Sequence, residues 1–296
     1  MKLTFVTDVD AAKYDEFVLQ HPQCNVLQSP AWAQVKAEWD SILTALVDEG
    51  GNILVAGLVL KRALPLGYSF WYVPHGPIGD YSNEQVMQAY LRGLGNYAKK
   101  SRAIAVRIDP PVVVKQGTKA DFPETYAPHT ATIRAMIESV GFAHRGFVTG
   151  LHESLQPRFQ TATVRPQGVS DVLTAMPKRT RTQYRQAVRR QAEVYRGANE
   201  NLDEFLKVIH ATEEEKGISL RSGAYYERIL DAYDDDAYLM LCTLNIVKAI
   251  EVFNTEIDEL TQRLDAIDEK SKNKRHELSE QIASRKKSLA EMEERH

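Results

Sequence analysis

The sequence is poor in cysteine, has no long apolar run and carries little excess charge of either sign. Each shortage excludes a class of protein. Its 296 residues hold two cysteines, Cys24 and Cys242. They are far apart and neither sits in a metal-ligand spacing, which argues against a disulfide scaffold or zinc module and for a reducing compartment. No stretch approaches the roughly 18 consecutive apolar residues of a membrane-spanning helix. The opening MKLTFVTDVD turns acidic by Asp8 and lacks the apolar segment of a secretory leader. The expected location is therefore the cytoplasm, with any membrane contact peripheral. A formal net charge of −3 argues against a general nucleic-acid coat but leaves room for a local basic patch. The eight histidines form no ligand pair at helical spacing. P-loop, dinucleotide and Gly-x-Ser-x-Gly fingerprints are absent as well. Neither a metal nor a cofactor is expected.

The composition is that of an ordinary globular chain, 43% hydrophobic and 26% charged, long enough for about two domains. The first 150 residues alternate between the two periodicities. LTFVT reads as a strand and AAKYDEFVLQH as a helix. Residues 42–64 hold two β-like runs around DEGGN, a hairpin signal. YSFWYV is an aromatic strand that breaks into a Pro/Gly loop. Val86, Tyr90, Leu94 and Tyr97 share one helical face, AIAVRIDP is an apolar strand stopped by proline, and HTATIRAMIESVGF is a helix closed by Gly141. Further on, PRFQTATVRP (157–166) reads as the first strand of a second unit. A helical stretch follows from Val169 to Tyr195, interrupted at Pro177. AYLMLCTLN is a strand. From about residue 246, Ile250, Phe253, Ile257, Leu260, Leu264 and Ile267 repeat in steps of three and four. The seam breaks near 271–275 and resumes at Leu278, Ile282, Leu289 and Met292, with Arg285 in a seam position. An antiparallel helical hairpin is expected; a continuous helix with a stutter is the alternative.

Four segments carry candidate chemistry. In QSPAWAQVK, Ser29 and Pro30 start a helix, and Lys36 ends up beside the stripe Trp32, Val35, Trp39. Lys36 either lays its stem along tryptophan or holds a cation in place for an anion. In RIDP, Arg107 and Asp109 share one side of a strand; Asp109 either caps the following turn or lines a site at the strand's carboxyl end. In PKRTRTQYRQAVRR, Arg181, Arg185 and Arg189 form a ridge at i, i+4, i+8, with Lys178 and Arg179 before it; the ridge is either a solvated face or a phosphate-binding one. In LRSGAYYERI, Ser222 as N-cap leaves Arg221 at the positive end of a helix, next to Tyr225. RGLGNYA imitates an acyl-CoA loop, but Tyr97 occupies a small-residue position and the stretch reads as mid-helix, so it is set aside.

In this order, QSPAWAQVK, WYVPHGPI, RIDP, PKRTRTQYRQAVRR, LRSGAYY and a charged helical hairpin resemble the Fem peptidyltransferases, the FemABX and MurM-like group. The resemblance covers the whole chain. It implies an α/β (α+β) fold of tandem GNAT-like acetyltransferase domains with a coiled-coil arm. The boundaries expected are 1–154 for the first domain, 155–245 for the start of the second and 246–296 for the arm. It implies a tRNA-dependent aminoacyltransferase of cell-wall precursor synthesis, with aminoacyl-tRNA as donor. The acceptor would be lipid II or UDP-MurNAc-pentapeptide, and the enzyme could sit peripherally at the inner face of the membrane. Lys36 and Arg221 then match positions that hold the precursor diphosphate, and Tyr225 and Asp109 match pocket positions nearby. Lys178, Arg179, Arg181, Arg185 and Arg189 are the tRNA candidates. Family members continue past the arm, so the resemblance implies that this chain ends before most of the donor site. Asp109 is the candidate general base; proton removal assisted by the substrate is the alternative. The competing readings are an acyl-CoA-dependent N-acyltransferase and a non-catalytic coiled-coil interaction protein.

Overall fold

The computed structural model describes residues 2–118, 120–147, 155–161 and 168–294. The N-terminal part forms β1 (Thr4–Val6), α1 (Ala11–Gln20), α2 (Pro30–Val35), β2 (Asp40–Val47), β3 (Ile53–Ala63), β4 (Ser69–Val73), β5 (Ile78–Gly79), α3 (Glu84–Lys100), β6 (Ala103–Ile108) and α4 (His129–Glu138). Then come α5 (Val169–Ala175), α6 (Lys178–Arg189), β7 (Ala192–Gly197), α7 (Leu202–Lys216), α8 (Gly223–Tyr233), β8 (Leu239–Leu244), α9 (Ile246–Asp265) and α10 (Lys272–Glu293). The mixed α/β class matches the expectation. The chain forms two compact units: Met1–Thr161 with Arg221–Ala237, and Ala162–Leu220 with Tyr238–His296. The boundaries read from the sequence run straight along the chain. The structure instead returns α8 to the first unit, because its side chains bond to α2.

In the first unit the strand order is β1-β2-β3-β4-β6, with β5 also on β3. All neighbours are antiparallel except β4 and β6. The predicted hairpin closes through Asp48, whose Oδ1 accepts the Asn52 N–H at 2.9 Å, with Gly51 at a positive φ of 79°. β3 is central and buried from Val55 to Leu60. Its alternation sorts side chains to two cores. Val55 and Val59 join Trp71, Met87, Tyr90, Leu91 and Leu94 under α3. Ala56, Leu58 and Leu60 join Tyr14, Val18 and Ile78 under α1. Gly57 lies between the valines because Tyr90 crosses it: a Cβ there would meet the Tyr90 hydroxyl at 2.1 Å.

Between β4 and β5 the chain leaves β3 and makes the loop 74–77. The buried Gln28 side chain fills that break. Its Oε1 accepts the Leu58 N–H at 2.8 Å, and its Nε2 donates to the Pro74 carbonyl at 2.5 Å. A side chain thus replaces a missing strand, which satisfies backbone groups that burial would otherwise leave unpaired.

In the second unit β7 and β8 pair antiparallel, Ala192 opposite Leu244. The helix expected to reach Tyr195 stops at Arg189; Gln191 takes a positive φ of 60° and the chain becomes strand. Of the strand expected at 157–166, residues 157–161 have no regular structure and 162–166 lie outside the described residues. The helices α9 and α10 pack antiparallel through Phe253, Ala249 and Met292, with Leu289 beside them. Their turn falls at 266–271, slightly before the expected 271–275. Arg275 Nη1 caps the end of α9 by donating to the carbonyls of Leu264 and Ile267, each at 2.9 Å. The seam position of Arg285 is accommodated by an ion pair with Glu256.

Candidate functional site

Ser29 caps α2 as expected, its hydroxyl accepting the Trp32 N–H at 3.3 Å. The helix is only six residues long. Lys36 is its C-cap, donating its N–H to the Trp32 carbonyl at 3.0 Å, and Trp39 lies beyond the helix rather than on its stripe. This stop fixes the start of the Lys36 side chain at a rigid helix end.

The second part of the site comes from α8. Arg228 Nε donates to the Val35 carbonyl at 3.1 Å, and its Nη2 reaches Glu38 at 3.0 Å. The Tyr233 hydroxyl shares a 2.6 Å hydrogen bond with Ser29 Oγ. These bonds fasten α8 along α2 and bring its first turn to Lys36. Lys36 Nζ then lies 5.5 Å from the centre of the Tyr225 ring and 5.8 Å from that of Trp32. Arg221 stands 5.5 Å from the same Tyr225 ring. One tyrosine therefore has two cations at its ring, within cation–π range.

The electrostatics are unbalanced. Among the described residues neither Lys36 nor Arg221 forms an ion pair, and Glu38, the nearby acid, is taken by Arg228. Burial, then the charge of Arg221, hold the Lys36 pKa below the ordinary lysine range, with Glu38 opposing. Burial pushes the Tyr225 pKa up. Two converging cations next to a hydroxyl donor favour an anion with more than one charged oxygen.

Asp109 belongs to another cluster, at the carboxyl end of β6 beside β4. Its N–H donates to the Val73 carbonyl at 3.3 Å. Its carboxylate accepts the Tyr72 hydroxyl and, at 3.5 Å, Arg107 Nε. Burial and then the Asp109 carboxylate raise the Tyr72 pKa well above its ordinary value. His75 lies in the same field: burial lowers its pKa and Asp109 opposes. Of the four residues matched from the resemblance, the structure joins Lys36, Arg221 and Tyr225, and sets Asp109 among Tyr72, Arg107 and His75.

The reading of single residues missed Gln28, Arg228 and Tyr233. Gln28 stands directly before Ser29-Pro30, yet a buried glutamine leaves no periodic trace. Arg228 and Tyr233 could only be recognised by knowing that α8 meets α2.

On α6, Lys178, Arg179 and Arg185 are exposed. Arg181 Nη1 donates to the Thr174 carbonyl at 3.3 Å, and Arg189 stands 3.9 Å from Glu256. The ridge therefore lacks acids of its own but receives one from α9. Arg185 lines a cleft of about 440 Å³ with Tyr184, Val188, Val252 and Glu256. Among the described residues no group of three His, Cys, Asp or Glu side chains is placed to hold a metal. No helix there is long and apolar enough to cross a membrane.

Residues 9–296 match the FemAB family. The chain belongs to that family. It is 32% identical over 253 residues to the lipid II:glycine glycyltransferase of Staphylococcus aureus, covering 84% of this chain and 57% of that enzyme. The protein of that name from strain USA300 matches to the same extent. This FemAB chain thus spans 57% of the length of the curated relatives it matches. The crystal structure of FemX superposes with a TM-score of 0.71 at 25% identity, over 99% of this chain and 73% of that one. The fold class implied by the resemblance is therefore the one the FemAB chain adopts.

Proposed function

We propose that this chain is the precursor-binding part of an aminoacyltransferase that adds an amino acid to the stem peptide of a peptidoglycan precursor. The observation that carries the reading is the pair of cations, Lys36 and Arg221, that form no ion pair among the described residues and are held at one tyrosine by α8. A precursor diphosphate fits that arrangement, because it presents charged oxygens to both sides at once. Membership of the FemAB family and the likeness to a lipid II:glycine glycyltransferase support the substrate class.

The acceptor is lipid II or its soluble UDP-linked counterpart, and the donor is an aminoacyl-tRNA. In the transfer, an amine of the stem peptide attacks the ester carbonyl of the aminoacyl-tRNA. A C–N bond forms, the ester C–O bond breaks, and the tRNA hydroxyl leaves with a proton while the attacking nitrogen loses one. The ester supplies the driving force, so neither metal nor cofactor is required. Lys36, Arg221 and Tyr225 hold the diphosphate. Asp109, already engaged by Tyr72 and Arg107, shapes the pocket wall; as a base it would first have to give up those donors. The exposed cations of α6 meet tRNA phosphates. The enzyme works in the cytoplasm, against the inner membrane face when its acceptor is lipid-linked.

Calorimetric titration with UDP-MurNAc-pentapeptide tests the clamp. Removing either cation costs on the order of 1.5–3 kcal/mol, or roughly ten- to hundredfold in affinity. Binding that weakens in both Lys36→Ala and Arg221→Ala is the expected result. Equal affinity in wild type and both variants would refute it.

A further inference from the structure

Leu66 is an apolar side chain in the wrong place by two criteria. It is 84% exposed, at the tip of the turn between β3 and β4. Its backbone also takes a positive φ of 62°, a conformation that disfavours a leucine. Asparagine or glycine would fill that position at lower cost. Leu66 therefore stands against local preference, and backbone positions of this kind cluster at functional sites.

Its surroundings add a chemistry. Arg102 Nη2 donates to the Leu66 carbonyl at 2.9 Å, and the Arg102 guanidinium lies 4.7 Å from the Tyr68 ring. Tyr68 is itself exposed. Lys99 and Lys100, both exposed, end α3, with Arg102 following after Ser101, and Arg62 is exposed near the end of β3. An acid at this end of the sheet is Asp40, opposite Lys61 in the β2–β3 ladder. The tip is an apolar point and an amphipathic ring inside a cationic rim.

We propose that this tip is the surface by which the chain docks on an anionic lipid bilayer, with Leu66 entering the interface, Tyr68 at headgroup depth and Arg62, Lys99, Lys100 and Arg102 against lipid phosphates. Apolar and aromatic side chains with flanking cations are what an interface of this kind retains. A nucleic acid would use the rim but would have no use for an inserted leucine. The placement agrees with the diphosphate site, and in choosing the bilayer the proposal rests on that reading. Lys36 lies four residues before Asp40, which begins β2 at this same end of the sheet. Between them, Trp39 lies 6.0 Å from the Arg62 guanidinium. A lipid-linked diphosphate at Lys36 and a bilayer at Leu66 would thus approach one end of the unit.

Vesicle flotation of the full chain tests this, with phosphatidylcholine alone and with about one-third phosphatidylglycerol. The wild type should float with anionic vesicles and little with neutral ones. Leu66→Asn, which suits the positive φ, should reduce the bound fraction about fivefold or more, and the double change Lys99→Glu, Lys100→Glu should do the same. Both variants should bind soluble UDP-MurNAc-pentapeptide as the wild type does, which separates this surface from the clamp. Vesicle binding unchanged in Leu66→Asn, no binding to anionic vesicles, or loss of tRNA binding rather than vesicle binding in the lysine variant would each overturn the proposal, whatever the clamp variants do. Leu66-dependent flotation would uphold it even if the soluble precursor failed to bind.

Discussion

Ser29 and Tyr233 are 204 positions apart, yet their hydroxyls share a 2.6 Å hydrogen bond. The Tyr233 hydroxyl also donates to the Val26 carbonyl at 3.2 Å. The residue that starts α2 is thereby tied to the end of α8, and the tie sets where Arg221 and Tyr225 stand relative to Lys36.

Tyr233→Phe should therefore act at a distance. It keeps the ring and removes both bonds, so unfolding in urea should show a loss of about 1–2 kcal/mol. Affinity for UDP-MurNAc-pentapeptide should fall as well, because α8 carries half of the clamp. Full affinity in a destabilised variant would separate the anchor from the site.

Lys36 makes binding pH-dependent. Burial and Arg221 depress its pKa in the folded chain. Between that depressed value and the ordinary lysine range the unfolded chain binds more protons, so this residue's contribution to stability rises with pH across the window. A bound diphosphate acts in the opposite direction and raises the pKa. Proton uptake should accompany binding at alkaline pH, and affinity should drop as pH rises through the depressed value. Titrations in buffers of different ionisation heat would detect the uptake. It should disappear in Lys36→Arg, whose charge persists throughout.

Gln28→Ala should be one of the costlier single changes in the first unit. It would strip partners from the buried Leu58 N–H and leave the Pro74 carbonyl unpaired, and it would open a cavity against Gly76. A loss of about 2–4 kcal/mol is expected in denaturant unfolding. A midpoint equal to wild type would mean that the loop closes the sheet by itself.

On α6, exposed Arg185 and paired Arg189 should differ. Replacing Arg185 with alanine should lower the salt slope of tRNA binding by about one. Arg189→Ala should lower it less, because Glu256 already draws on that charge. Equal slopes in wild type and Arg185→Ala would remove α6 from the RNA surface.

Strand and helix were readable wherever one face of an element is buried. β3, α3 and the α9–α10 pair announce themselves by periodicity, since apolar side chains must recur where the backbone turns them inward. The start of α2 was readable for a local reason: Ser29-Pro30 acts on its own next few residues. Its end was not. Trp39 fits a helical stripe by spacing, but the helix stops at Lys36 and the chain enters β2 instead, because β2 is drawn into the ladder with β3.

Most of the elements and the residue types of the site were legible in the chain, because propensity, capping and alternation act over a few positions; β7 was not, and reads in the chain as the end of the helix before it. Tertiary contacts alone bring Arg221 and Tyr225 to Lys36, Tyr72 to Asp109, and Gln28 into the break in the sheet. Those relationships depend on hydrogen bonds between groups tens to hundreds of positions apart. A bond of that kind leaves no period in the chain; it requires only that two suitable groups arrive at the same place.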